Sequence, residues 1–183
     1  MLESTVRHRL VAEIEALLGN NAATEANLLA VLDKVLADFG CTVGTIHSLE
    51  PASGMLRTRA QRGIPEDMLD RLQLIPVGKG MAGLAAERRA PVQVCNLQTD
   101  ASGVARPSAR ETQVQGAIAV PMLGTDGVCG VLGVAKPVAY DFSPAEVASL
   151  LDIAHTIGEF LIGVVQKPAG HRGGPGGAAC STT

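Results

Sequence analysis

Aromatic side chains are nearly missing from this chain: its 183 residues include three Phe, one Tyr and no Trp. Any hydrophobic core must therefore be built from Val, Leu, Ile and Ala. At this length a folded chain buries roughly 70% of its unfolded surface, so aliphatic residues suffice without disulfides or a structural metal. Cysteine is sparse as well. Cys41, Cys95, Cys129 and Cys180 lie far apart with no C-x-x-C pair, which argues against a zinc site or a disulfide framework and predicts reduced, mostly buried small hydrophobes. Long apolar runs are absent too. The longest, Phe160 to Val165, cannot span a bilayer, and Met1 to Leu18 is interrupted by Glu3, Arg7, Arg9, Glu13 and Glu15, so neither a membrane anchor nor a secretory leader is expected. The expected location is the cytoplasm. Fifteen basic against eighteen acidic residues give a net charge of −3 with no basic block, which sets nucleic acid aside as the primary partner.

What is present is 46% hydrophobic and 18% charged residues, the composition of one soluble domain with short appendages. Val6, Leu10, Ile14, Leu17 and Leu18 recur at helical spacing, and Gly19-Asn20-Asn21 ends that stripe. Thr24 opens a second helix whose Leu28, Leu32, Val35, Leu36 and Phe39 keep the same period up to Gly40. Cys41–Leu49 and Met55–Gln61 alternate around Pro51-Ala52-Ser53-Gly54 as a β-hairpin. Pro65, read as the first helical residue, starts a short helix to about Leu72, and a second runs from Ala82 to Arg88. Val92–Leu97 is strand-like, whereas Gln98–Val114 has no sustained period and reads as a long irregular loop, a kind of segment that is usually functional. Gly116–Leu123 and Val128–Ala135 form a second hairpin across Gly124-Thr125-Asp126-Gly127. Ser143 and Glu146 make a capping box, with Pro144 at the first position of a helix reaching about Gln166. The order ααββααβββα predicts an antiparallel sheet of five to six strands with helices on both faces, an α+β fold. The expected organisation is an N-terminal helix (1–21), a domain over 22–166 and a disordered Gly/Pro-rich tail over 167–183.

Five fragments, in order, resemble a GAF domain: Ile75-Pro76-Val77-Gly78-Lys79-Gly80-Met81-Ala82-Gly83, Pro91-Val92-Gln93-Val94, Ala119-Val120-Pro121-Met122, Gly130-Val131-Leu132-Gly133-Val134 and Phe142-Ser143-Pro144-Ala145-Glu146. The similarity covers about Ala22 to Val165. It implies a PAS-related antiparallel fold and a small-molecule sensor or regulatory module in signal transduction, often dimeric through its terminal helices. Gly78, Gly80 and Gly83 are read as turn and helix-packing glycines. Lys79 is followed by Gly80 and not by Ser or Thr, so they do not form a P-loop. Pro121 removes one ladder donor and is expected at a bulge or on an unpaired side.

The family's chemistries can be checked residue by residue. Free methionine sulfoxide reductases need a nucleophilic and a resolving thiol, but aligned on the shared fragments their cysteine positions fall at Leu72, Ala82 and Arg110. Their acidic substrate-binding positions fall at Ala117, Gly133 and Ala135. No catalytic residue is assigned on that basis. Cyclic-nucleotide-binding relatives carry an N-K-F-D-E constellation. Asn96 and Asp100 are present here without a matching Lys and Phe. Bilin-binding relatives use a Cys-His pair, which this sequence lacks. His47 and His155 are the ordered candidates for haem ligation, each more often a satisfied or exposed histidine. No metal or cofactor is assigned.

What is left is a pocket. If Ala117, Ala119, Gly133 and Ala135 share one face of adjacent strands, their small side chains leave room above the sheet for the long loop to roof. Arg106, Arg110, Glu111, Gln113 and Gln115 are then the nearest polar groups, and two arginines suit an anionic ligand. A second reading is that small residues only let a helix approach the sheet while the arginines are solvated. The resulting expectation is a cytoplasmic, non-catalytic homodimer that binds a small molecule. Late-helix residues Ile157, Leu161 and Val164 are available for the dimer contact. A ligand-free dimerisation module is the alternative, and a thiol-dependent reductase is a third.

Overall fold

The computed structural model describes residues 2–19, 25–104 and 111–165, with side chains from residue 8 to residue 162 among these. The elements follow the order α1 (Leu2–Leu18), α2 (Glu25–Phe39), β1 (Val43–Glu50), β2 (Met55–Arg62), α3 (Glu66–Leu72), β3 (Leu74–Pro76), α4 (Gly80–Arg88), β4 (Val92–Val94), β5 (Ala117–Gly124), β6 (Gly127–Ala135) and α5 (Pro144–Val165). The sheet has six strands, ordered β3-β2-β1-β6-β5-β4, with every neighbouring pair antiparallel. The two hairpins read from the sequence form its centre.

Strand alternation divides the sheet into two unequal faces. Ile46, Ile118, Val120, Met122, Leu132 and Val134 pack against α1, α2 and α5 in one large aliphatic core, with Leu28, Leu32, Ile153 and Ile157 among its fully buried members. The intervening residues face α3, β3 and α4, where a smaller cluster holds Leu56, Ile75, Ala85, Ala119 and Val131. Large side chains thus fill the side covered by three long helices, whereas on the side covered by two short helices β5 and β6 contribute the small residues Ala117, Ala119, Gly133 and Ala135.

Local chemistry explains the element ends. The main-chain N–H of Ser143 donates to Glu146 at 2.8 Å and that of Glu146 donates to the Ser143 hydroxyl at 3.3 Å, which completes the capping box of α5. Tyr140 donates to the same carboxylate at 2.9 Å, and the Lys136 ammonium sits 3.8 Å from the Tyr140 ring centroid, tying the β6–α5 connection down. At the entrance to α4, an added Cβ on Gly83 would collide with the Pro76 carbonyl oxygen, and the Gly78 N–H donates to the Gly83 carbonyl at 2.8 Å. These glycines hold a tight turn, as the sequence implied. Pro121 pairs with Val131 of β6, while β4 covers only Ala117 to Ala119, so its missing donor faces an unpaired edge.

Several boundaries differ from the sequence reading. Strand β3 is a three-residue edge strand, too short to show a period. Pro65 is the N-cap of α3 and not its first helical residue, and α4 begins two residues earlier than expected, at Gly80. The strand expected over Val92–Leu97 stops at Val94. Cys95 is exposed and Cys129 half-buried, so of the three described cysteines only Cys41 is a buried hydrophobe; burial pushes its thiol up to about 11. Ile157 and Leu161, expected to be free for dimer contact, are buried in this chain's own core. The side chain of Val164, Cys180 and the 167–183 tail lie outside the described residues.

Candidate functional site

The face of small residues floors a half-open cavity of about 160 Å³. Its floor is set by strand register. Ala117 pairs with Ala135 and Ala119 with Gly133 across β5 and β6, while Val43 pairs with Ala135 and Thr45 with Gly133 across β1 and β6. Four small positions expected from the sequence therefore meet in one patch, beside Thr45 and His47 of β1. The walls and roof come from Met68 and Leu72 of α3, Ile75 of β3, the first turn of α4, and Leu97 and Val114. That last segment is held in place: Leu97 N–H donates to the Gln115 carbonyl at 2.8 Å, and the Gln98 side-chain amide donates to the Val114 carbonyl at 2.7 Å.

His47 is the unusual member of this lining. It is 2% exposed, and neither ring nitrogen has a hydrogen-bond partner. Desolvation pushes its pKa down to about 4. The main chain of Val131, its cross-strand neighbour, pulls weakly the other way without reaching hydrogen-bond geometry. The imidazole is neutral at physiological pH, so it keeps one donor and one acceptor, and the residue lines the cavity. A register shift in the β1–β2 pairing falls between Ile46 and His47 and leaves Arg59 as an extra residue on β2, the kind of local kink that re-aims a side chain.

The polar loop residues named from the sequence do not join this group. Gln113 is exposed and has a positive φ of 59°, and Gln115 is half-buried, its main chain bonded to Leu97 and Lys136. Neither lines the cavity. Glu111 is exposed and pairs with Arg71 at 3.5 Å. Arg106 and Arg110 lie outside the described residues. Among the described lining residues the one charged side chain is Lys79, which is exposed. His47 itself was read as a satisfied or exposed histidine and is neither. Its alternation with Val43 and Thr45 was the available signal, but only the β1–β6 register shows that this face is the cavity. His155 is exposed on α5, with Nδ1 2.9 Å from the Leu123 carbonyl.

The positions where reductase relatives carry cysteine also become interpretable. Leu72 and Ala82 both line the cavity as apolar walls, and no described cysteine does.

A curled antiparallel sheet with three long helices behind it, two short ones in front and a pocket between sheet and short helices is the architecture of a regulatory or sensor type of domain in general. Residues 22–161 match the GAF domain family profile, and the chain belongs to that family. Among solved structures it is similar to the GAF domain of a phosphoenolpyruvate-protein phosphotransferase from Coxiella burnetii, at 18% identity over 87% of this chain and 94% of that one, with a TM-score of 0.74. It is similar to a putative GAF sensor protein from Burkholderia vietnamiensis, at 18% identity over 90% and 99% with a TM-score of 0.72. A free methionine-R-sulfoxide reductase from Neisseria meningitidis, in complex with its substrate, matches at 18% identity over 88% and 92%, again with a TM-score of 0.72. At these identities the likeness establishes the fold. No curated protein matches the sequence. No helix among the described residues is long and apolar enough to cross a membrane.

Proposed function

We propose that this GAF domain is a non-catalytic sensor module that binds a small molecule in the cavity over β1, β5 and β6. The observation that carries the reading is His47, a buried imidazole with two unpartnered nitrogens in an otherwise largely apolar cavity. Buried polar groups are nearly always hydrogen-bonded, and a polar group on a bound small molecule would give this imidazole the partner that the protein does not. The fold also offers a route for the signal. Ala117 and Ala119 meet the cavity while Ile118, Val120 and Met122 on the same strand pack in the core with α5, so a shift of β5 on ligand binding reaches that helix directly. Self-association through α1 and α5 is the output we assign; Leu151 and Phe160 of α5 pack on the rim of this chain's core and stay half-buried, which leaves part of each side chain for a second copy. The free thiols of Cys41, Cys95 and Cys129 fit a reducing, cytoplasmic setting.

Native mass spectrometry of the purified protein, compared with a Gly133→Val variant that fills the cavity, tests this reading. The expected result is a small-molecule adduct on the wild type that is missing from the variant. An unliganded wild type whose α5 amides do not respond to a metabolite library would favour the ligand-free dimerisation module. Thiol-dependent turnover of free methionine sulfoxide, lost in Cys95→Ser, would instead restore the reductase.

A further inference from the structure

We propose that the cavity takes a small, uncharged, largely apolar molecule, about the size of a single six-membered ring, with one hydrogen-bonding group directed at the imidazole of His47. This rests on the sensor reading and narrows it to a ligand class.

Size is the first constraint. A cavity of about 160 Å³ compares with engineered apolar cavities of about 150 Å³ that hold benzene, so a molecule of roughly six to ten non-hydrogen atoms fills it. Charge is the second. The described lining holds no carboxylate, and its one charged side chain, Lys79, is exposed. An ion among the alkyl groups of Met68, Leu72, Ala117 and Ala119 would be stripped of water with no buried counter-charge, which is strongly unfavourable. Polarity is the third. His47 presents a donor and an acceptor, neither used within the protein, so one hydroxyl, amine or carbonyl on the ligand is satisfied and relieves the imidazole at the same time. A water molecule is a poorer occupant, because it needs two to four polar partners and most of these walls are hydrocarbon.

Phenol, toluene and benzoate serve as probes of nearly equal shape that differ in one group. Each is titrated into the full chain, with binding read from the methyl resonances of Ala117, Ala119 and Met81 and from the nitrogen resonances of His47. Phenol is expected to bind about fivefold more tightly than toluene, the difference of one net hydrogen bond, and to move the His47 nitrogens; benzoate is expected to bind more weakly than either. His47→Leu should erase the preference for phenol while leaving toluene binding intact, and His47→Gln should restore part of it.

Toluene binding as tightly as phenol to the wild type would overturn the role given to His47 while leaving the pocket reading standing. Benzoate binding more tightly than phenol would overturn the uncharged class and return the site to the loop arginines. Exclusion of phenol, toluene and benzoate alike would show a cavity that admits no such molecule, and the sensor reading would fall with the ligand class.

Discussion

Thr45 of β1 faces Gly133 of β6 across the sheet, and the Thr45 hydroxyl oxygen lies 2.9 Å from where a Cβ on Gly133 would stand. The cavity floor therefore has no spare volume at this pair. Gly133→Ala forces the Thr45 side chain to turn or move. Because Gly133 is an ordinary strand residue and Ala is the better strand former, the net change in stability is expected within about 1 kcal/mol. Binding of phenol should weaken about tenfold or more. Denaturant melts and probe titrations on the same preparation separate the two effects; a variant that loses stability and affinity together would mean that the floor is a packing surface only.

His47 should cost the unliganded protein stability. Replacing it with Leu removes a buried group whose polar atoms are unpaired, and an increase of about 1–3 kcal/mol is expected. In a domain of this size that is a rise in melting temperature of several degrees. A fall in stability would show that His47 has a partner in solution, such as an ordered water, and is part of the packed core.

The same residue gives a pH signature. The folded-state pKa is pushed below its ordinary value of 6.5, to about 4, so between these values the unfolded chain takes up a proton that the folded chain refuses. Stability is therefore full above about pH 6.5 and falls as the pH drops toward 4, by about 3 kcal/mol. The lowered carboxylates of Glu13, Asp33, Glu50 and Glu146 begin to lose their contributions only as the pH falls through their ordinary values of 4.5 and 3.8, at the acid end of this range and below it. A stability titration from pH 7 to 4.5 should slope for the wild type and be nearly flat for His47→Leu. Parallel curves would contradict the assignment.

Ser143→Ala removes the N-cap hydroxyl of α5 and leaves Glu146 to hold the helix end with Tyr140. The expected loss is about 1 kcal/mol. Gly83→Ala is expected to be worse, about 2 kcal/mol or more, because the added methyl meets the fixed Pro76 carbonyl and not a movable side chain. Chemical denaturation of both variants gives the ranking; the reverse order would mean that the α4 turn relaxes easily.

Sedimentation equilibrium at micromolar concentration is expected to show a dimer. Phe160→Glu, on the half-buried surface of α5, should shift it toward monomer. A monomeric wild type would remove α5 as the output surface without touching the cavity.

The sequence was most legible where local chemistry and periodicity agree. The capping box at Ser143 and Glu146, the turn at Asp126-Gly127, the helical stripe ending at Phe39 and the small positions Ala117, Ala119, Gly133 and Ala135 each depend on spacing within one element or hairpin. Those features determined the fold class and put the four small positions on one face of the second hairpin. What the cavity can hold was decided elsewhere. Its depth depends on how far α3 and α4 stand from the sheet. Its polarity depends on the β1–β6 register that brings His47 beside Gly133's patch, and its neutrality on burial that no linear pattern records. The edge strand β3 and the burial of Ile157 and Leu161 were also settled only by tertiary contact. Periodicity tells which residues share a face, whereas the distance between two faces, and the solvent excluded from between them, exist only once the chain has folded.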